Sequence, residues 1–203
     1  IVCNYSSGGV DVIYDFDGKK YEKFSAHQKR WGNRLIDGLE LKGNERVLDL
    51  GCGDGLLTAK IAEKLPSGSV LGIDGSRGMI EVANEKLNSN ITNLQFYEMD
   101  INSIAYENEF DLIFSNAALH WIKDHSRLLQ RVRRALRPGG AIRWNFASAG
   151  NCQNLFTIIR ETMQLPRFSD IFAGFEWPWF TPSIAEYENL VKRAGFTNRE
   201  IRG

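Results

Sequence analysis

The stretch VLDLGCGDG, residues 47–55, constrains the fold more than any other part of this sequence. Val47, Leu48 and Leu50 read as a short buried strand. They run into Gly51, Gly53 and Gly55, and an apolar pattern of helical period follows at once. Glycines at such a turn let the backbone reverse sharply and let a ligand approach closely, while the N–H groups of the following helix point at it. A strand that ends in a glycine turn and restarts as a helix is a building unit of open α/β sheets with a ligand at the strand ends.

The rest of the chain repeats that rhythm. A leading helix is predicted over 25–41, with Trp31, Leu35, Ile36 and Leu39 on its inward face. Strands are predicted at 46–50, 69–73, 94–99 and 110–115. Helices at 55–65 (Leu57, Ile61, Leu65 inward) and 76–87 (Met79, Ile80, Ala83, Leu87 inward) separate the first three. A further helix ends near Leu136, a Pro138-Gly139-Gly140 turn follows, and a fifth strand is expected at 141–147. Short apolar strands that alternate with amphipathic helices imply a parallel sheet covered on both faces, a doubly wound α/β fold.

Residues 148–182 break the pattern with Phe156, Phe168, Phe172, Phe175, Trp177, Trp179 and Phe180, punctuated by Pro166, Pro178 and Pro182. A last helix, 183–194, should lead into a strand near Phe196. With no repeat, low-complexity tract or linker, 203 residues suit one domain. The expected organisation is an N-terminal arm at 1–19 and a single domain at 20–203 carrying the aromatic segment 148–182 as a cap.

Lys plus Arg and Asp plus Glu each number 25, so no basic field is available to hold a nucleic-acid backbone, and nucleic acid is not an expected partner. Cys3, Cys52 and Cys152 share no metal-ligand spacing and are odd in number. No metal site is expected, and reduced thiols point to a cytoplasmic protein. No apolar run approaches the roughly 18 residues a membrane span needs, and the opening IVCNYSSGGVDV lacks the order of a signal peptide.

The glycine spacing separates two kinds of cofactor. A dinucleotide fingerprint, Gly-x-Gly-x-x-Gly, would place its third glycine at Leu56. This sequence instead has Gly-x-Gly-x-Gly, with Asp49 two residues ahead. In that pattern it resembles the class I S-adenosylmethionine-dependent methyltransferases. Asp74 in GIDGS matches the family's acid that closes strand two, and the resemblance implies that it accepts hydrogen bonds from both ribose hydroxyls. Asp100 and Ile101 in EMDI match the adenine-contacting positions, and Met79 matches an apolar residue against the adenine face. FDLIFSNAALHW (110–121) and LRPGG (136–140) match two further motifs in order.

The resemblance covers about residues 20–200. It implies S-adenosylmethionine contacts at Asp49, Gly51, Gly53, Asp74, Gly75, Ser76, Met79, Asp100, Ile101, Ser115, Asn116 and Ala117, with Tyr21 and Gln28 closing over the cofactor from the leading helix. Simpler roles compete with these: Asp74 and Asp100 as helix caps, Met79 as core, Cys52 as a small filler, Tyr21 and Gln28 as structural residues.

NAALHW and the leading KYEKFSAHQKRW resemble the subgroup of trans-aconitate and juvenile hormone acid methyltransferases, which methylate small carboxylic acids. That implies carboxylate O-methylation of a small molecule. A carboxylate is ionised at neutral pH and needs no general base. His120 and Trp121 are the catalytic candidates: His120 shapes the pocket or serves as a base for a hydroxyl, amine or carbon acid, the carboxylate reading favouring the first, and Trp121 is a wall offering its face to the sulfonium. The aromatic segment suggests an acceptor with apolar bulk. Arg160 and Arg167 are candidate carboxylate clamps or solvated charges. A quinone-type or carrier-bound acceptor and a catalytically silent cofactor-binding protein are the alternatives. The family's sheet has seven strands, the last antiparallel beside the fifth. The seven residues after Phe196 are too few for strands six and seven, so the C-terminal strands are expected to be truncated.

Overall fold

The computed structural model describes residues 26–87, 91–197 and 200–202. Tyr21 lies outside them, and the Gln28 side chain is likewise outside the description. In chain order the elements are α1 (Ala26–Asp37), β1 (Arg46–Leu50), α2 (Leu56–Glu63), β2 (Ser69–Asp74), α3 (Arg77–Leu87), β3 (Leu94–Glu98) and β4 (Phe110–Asn116), followed by α4 (His125–Ala135), β5 (Leu136–Asn145), α5 (Gln153–Met163), α6 (Pro166–Ser169) and α7 (Ile184–Arg193). Single 3-10 turns occur at Ile101–Ser103 and Leu119–Trp121.

The five strands form one sheet in the order β3-β2-β1-β4-β5, and every pairing is parallel. Successive strand residues point to opposite faces, and this chain buries both. Val47, Val70, Leu94, Phe96, Leu112 and Phe114 pack with Ile36 of α1, Ala59, Ile61 and Ala62 of α2, and Ile80 and Ala83 of α3. Leu48, Leu50, Ile73 and Ile113 pack on the other face with Leu128, Val132 and Ala135 of α4. Tyr187 and Val191 of α7 extend that second layer over β5. The fold is therefore the doubly wound α/β sheet expected.

Local differences have local causes. Trp31, assigned inward, is 48% exposed; Leu35 and Ile36 carry the packing of α1 instead, with Leu39 just beyond its end. The fifth strand begins at Leu136 rather than 141, because Leu136 already pairs with Phe110. The register then shifts before Leu112 pairs with Ala141, and Gly139 at φ +83° absorbs the extra residues. The last helix matches, with a capping box in which Ser183 and Glu186 satisfy each other's backbone N–H groups. No strand follows at Phe196 among the described residues, so the described sheet has five strands and not seven.

Candidate functional site

The carboxyl ends of β1, β2 and β4 converge on the glycine turn. The N–H groups of Gly51 and Cys52 both donate to the Ile73 carbonyl, at 2.8 and 3.0 Å, which ties the turn to β2. Gly51, Gly53 and Gly55 all have left-handed backbones, φ +74°, +55° and +74°, but they serve different ends. A methyl at Gly51 would run into Ala118, and one at Gly55 into Phe96 and Leu87. Those two glycines allow close packing. At Gly53 an added Cβ would meet nothing within 4 Å. Here the turn faces open space, and the same holds at Gly75.

Asp74 closes β2 beside that space. Its Oδ2 accepts the Gly53 N–H at 2.9 Å and its Oδ1 the Ser76 N–H at 2.8 Å. Burial pushes its pKa up, and the two backbone donors offset only part of that rise. Each carboxylate oxygen keeps a second lone pair for an incoming hydroxyl. Asp49 sits underneath, 2% exposed, with Oδ2 accepting the Thr58 hydroxyl at 2.7 Å. Burial raises its pKa to about 7; the Thr58 bond works against this and the charge of Asp74 adds to it. Asp54, which the motif reading passed over, is 7% exposed, and its Oδ1 accepts the Leu56 N–H at 3.4 Å. The clue to it is its place within the same motif, at the entry to α2.

Three carboxyl groups thus surround one turn. Burial, then the charges of Asp49, Asp74 and Asp54, push the Cys52 thiol well up, so it is an inert filler rather than a nucleophile. The same charge opposes an anionic pyrophosphate and suits a cationic ligand. S-adenosylmethionine carries a sulfonium and an ammonium, so these residues fit it.

The other expected contacts fall into two groups. Ser76 and Met79 are 3% exposed and Ile101 is 8% exposed; all three are largely enclosed by protein. Asp100 is exposed and caps the turn Ile101–Ser103, accepting the Asn102 N–H at 2.8 Å. Ser115 is fully buried and donates to the Leu50 carbonyl at 2.7 Å, joining β4 to β1. The Asn116 Oδ1 accepts from the Asn145 Nδ2 at 3.0 Å, and the Ala117 N–H donates to the Asn145 carbonyl at 2.7 Å. Ala117 holds φ +58°, a left-handed backbone unusual for alanine.

Beyond Ala118 the chain makes the turn Leu119–Trp121. Burial lowers the pKa of His120, and its Nδ1 is buried with no hydrogen-bond partner among the described residues. The rings of His120 and Trp121 lie 5.5 Å apart, and Trp121 meets the edge of Trp179 at 5.6 Å. From there an aromatic run continues through Trp177 to Phe175, with Phe156 against both tryptophans. Arg160 lies over the Trp177 ring at 5.4 Å and Arg167 over Phe168 at 4.6 Å. A separate groove of about 530 Å³ follows the outer edge of β5, between Trp144, Phe146, Tyr187 and Phe196. None of the glycine-turn residues, Asp74 or His120 lines it.

Comparison with known proteins agrees with this geometry. Residues 47–140 match the model of a family described as a methyltransferase domain. The chain is 36% identical over 128 residues to trans-aconitate 2-methyltransferase of Methylobacterium nodulans, covering 63% of this chain and 48% of that protein. It is 30% identical over 135 residues to malonyl-[acyl-carrier protein] O-methyltransferase of Acetivibrio thermocellus, covering 66% and 47%. A methyltransferase structure from Aquifex aeolicus superposes with a TM-score of 0.63 at 20% identity over 89% of both chains, which is agreement in fold. The chain spans about half the length of the curated relatives it matches. Residues 47–140 thus carry a methyltransferase domain, on a sheet shared with methyltransferase structures, and the chain is similar to S-adenosylmethionine-dependent methyltransferases.

Proposed function

We propose that the chain transfers the methyl group of S-adenosylmethionine to a carboxylate oxygen of a small acid. The observation that carries this is the state of His120. It is the ring beside Trp121, and burial lowers its pKa. No described group hydrogen-bonds its Nδ1, so none of the described residues raises its basicity there. An acceptor that is already ionised needs no such help. The names of the two relatives, which methylate trans-aconitate and a malonyl carrier, support an acid acceptor.

The bound cofactor supplies a methyl group activated by its sulfonium sulfur. Gly53 and Gly75 leave room for it, Asp74 accepts from the ribose hydroxyls, and Asp49 supports the turn from below. Asp100, Ile101 and Met79 bound the adenine side, and Asn116 and Ala117 at the end of β4 add backbone contacts. Trp121 walls the transfer site, and alignment of the acceptor oxygen against that wall accounts for most of the rate. Residues 20–203 act as one domain, in which 148–182 caps the acceptor and receives its apolar part.

A carrier-bound acid is the second reading, favoured by the malonyl-carrier relative. The purified protein should be incubated with S-adenosylmethionine and trans-aconitate, malonyl-pantetheine or a medium-chain fatty acid. The expected product is an ester one methylene heavier and labile to base. Methyl transfer only to amines or phenols in a wider panel would overturn the carboxylate reading.

A further inference from the structure

His125 is the first residue of α4 and is 2% exposed, yet the function described above does not use it. Its Nε2 lies 2.9 Å from the Leu119 carbonyl oxygen and its Nδ1 3.2 Å from the Tyr187 hydroxyl. A carbonyl only accepts, so Nε2 carries a proton, and in the neutral ring Nδ1 then accepts from the tyrosine. Burial favours that neutral form by lowering the pKa of the imidazole.

The ring is also enclosed by three others: Phe180 of the cap at 4.5 Å, Phe146 after β5 at 5.3 Å, and Tyr187 of α7 at 5.4 Å. The next carbonyl in the turn, that of His120, accepts the Phe180 N–H at 2.8 Å. Adjacent peptide groups of the turn Leu119–Trp121 are thus held from two sides, one by α4 and one by the cap. Both anchors meet at the His125 ring.

We infer that His125 is a positioning residue for methyl transfer. Its Nε2–H fixes the turn that presents His120 and Trp121, and its ring, packed against Phe180, fixes the cap against that turn. The pocket wall and the cap are thereby held as one unit. This rests on the reading that Trp121 walls the transfer site. The glycine turn and Asp74 are anchored on β1 and β2 and do not depend on it.

Substitution separates the hydrogen bond from the packing. His125→Phe keeps an aromatic ring among Phe146, Phe180 and Tyr187 but loses both bonds. His125→Gln places an amide N–H where it reaches the Leu119 carbonyl, whereas the shorter His125→Asn does not reach it. With trans-aconitate as the acceptor probe, His125→Phe should lower kcat about tenfold and raise the acceptor KM, the scale of one lost buried hydrogen bond. His125→Gln should recover most of the loss. Both should bind S-adenosylhomocysteine as wild type does. Amide hydrogen exchange in peptides spanning 119–122 and 177–182 should be faster in His125→Phe and near normal in His125→Gln.

Wild-type turnover and exchange in His125→Phe, or equal losses in the Phe and Gln variants, would overturn the inference. If His125→Phe does not fold, the comparison of Gln with Asn decides the matter in the same way. If wild type methylates no acid, the acceptor reading fails, and the exchange rates still decide the role of His125.

Discussion

Asp49 shows how one side chain can carry both a fold and a site. Its carboxyl, with a pKa near 7 in the folded chain, holds a proton that the unfolded chain releases near pH 4. The folded state therefore binds more protons between those values, and stability falls as pH rises from 4 to 7, by at most about 4 kcal/mol. Asp49→Asn should remove this contribution. Urea unfolding at pH 5 and pH 8 should show a smaller loss in the variant than in wild type; equal losses would mean that Asp49 is ionised throughout. His120 and Trp121 test the chemistry at the same scale. His120→Ala should cost turnover only about tenfold, against the ~10²–10⁴-fold of a lost general base. Trp121→Ala should cost more, because it opens the wall that aligns the reactants. A wild-type rate that rises through a pKa below the ordinary histidine value and disappears with the histidine would move the acceptor to a hydroxyl, amine or carbon acid.

Elements show where sequence reading succeeds and where it stops. The β1 turn and α2 were legible because glycines, an acid and helical spacing coincide within 47–65. Asp54 was not, because one acid among glycines reads as a turn former, and only burial reveals it. Trp31 was misplaced because it fits the apolar stripe of α1 without being covered. Nothing in NAAL marked Ala117 as strained, since its backbone is imposed by the Asn145 carbonyl one strand away. Glycine adopts that conformation at no steric cost. Ala117→Gly should therefore stabilise the protein by about 0.5–1 kcal/mol, read as a higher unfolding midpoint. A lower midpoint would mean that the methyl group packs usefully enough to outweigh the strain. His125 was equally invisible, because its partners Leu119, Phe146, Phe180 and Tyr187 lie on four different segments.

At the scale of the whole molecule, two helical layers on a parallel sheet leave the carboxyl ends of the strands as the place where a ligand can meet β1, β2 and β4 together. Periodicity alone made that arrangement readable. Details that depend on contacts across the sheet, such as the register shift before Leu112 and the clamp on the Leu119–Trp121 turn, were not. The open side of Gly53, next to Asp74 and among three acids, is the proposed seat of S-adenosylmethionine. Calorimetric titration of S-adenosylhomocysteine into wild type and Gly53→Val, with circular dichroism to verify folding, tests it most directly. A β-branched side chain there would fill the open space and strain a left-handed backbone. The account predicts saturable binding to wild type, no heat from NAD, and no binding to a folded Gly53→Val. Undiminished binding to the folded variant, or binding of NAD in place of S-adenosylhomocysteine, would contradict it.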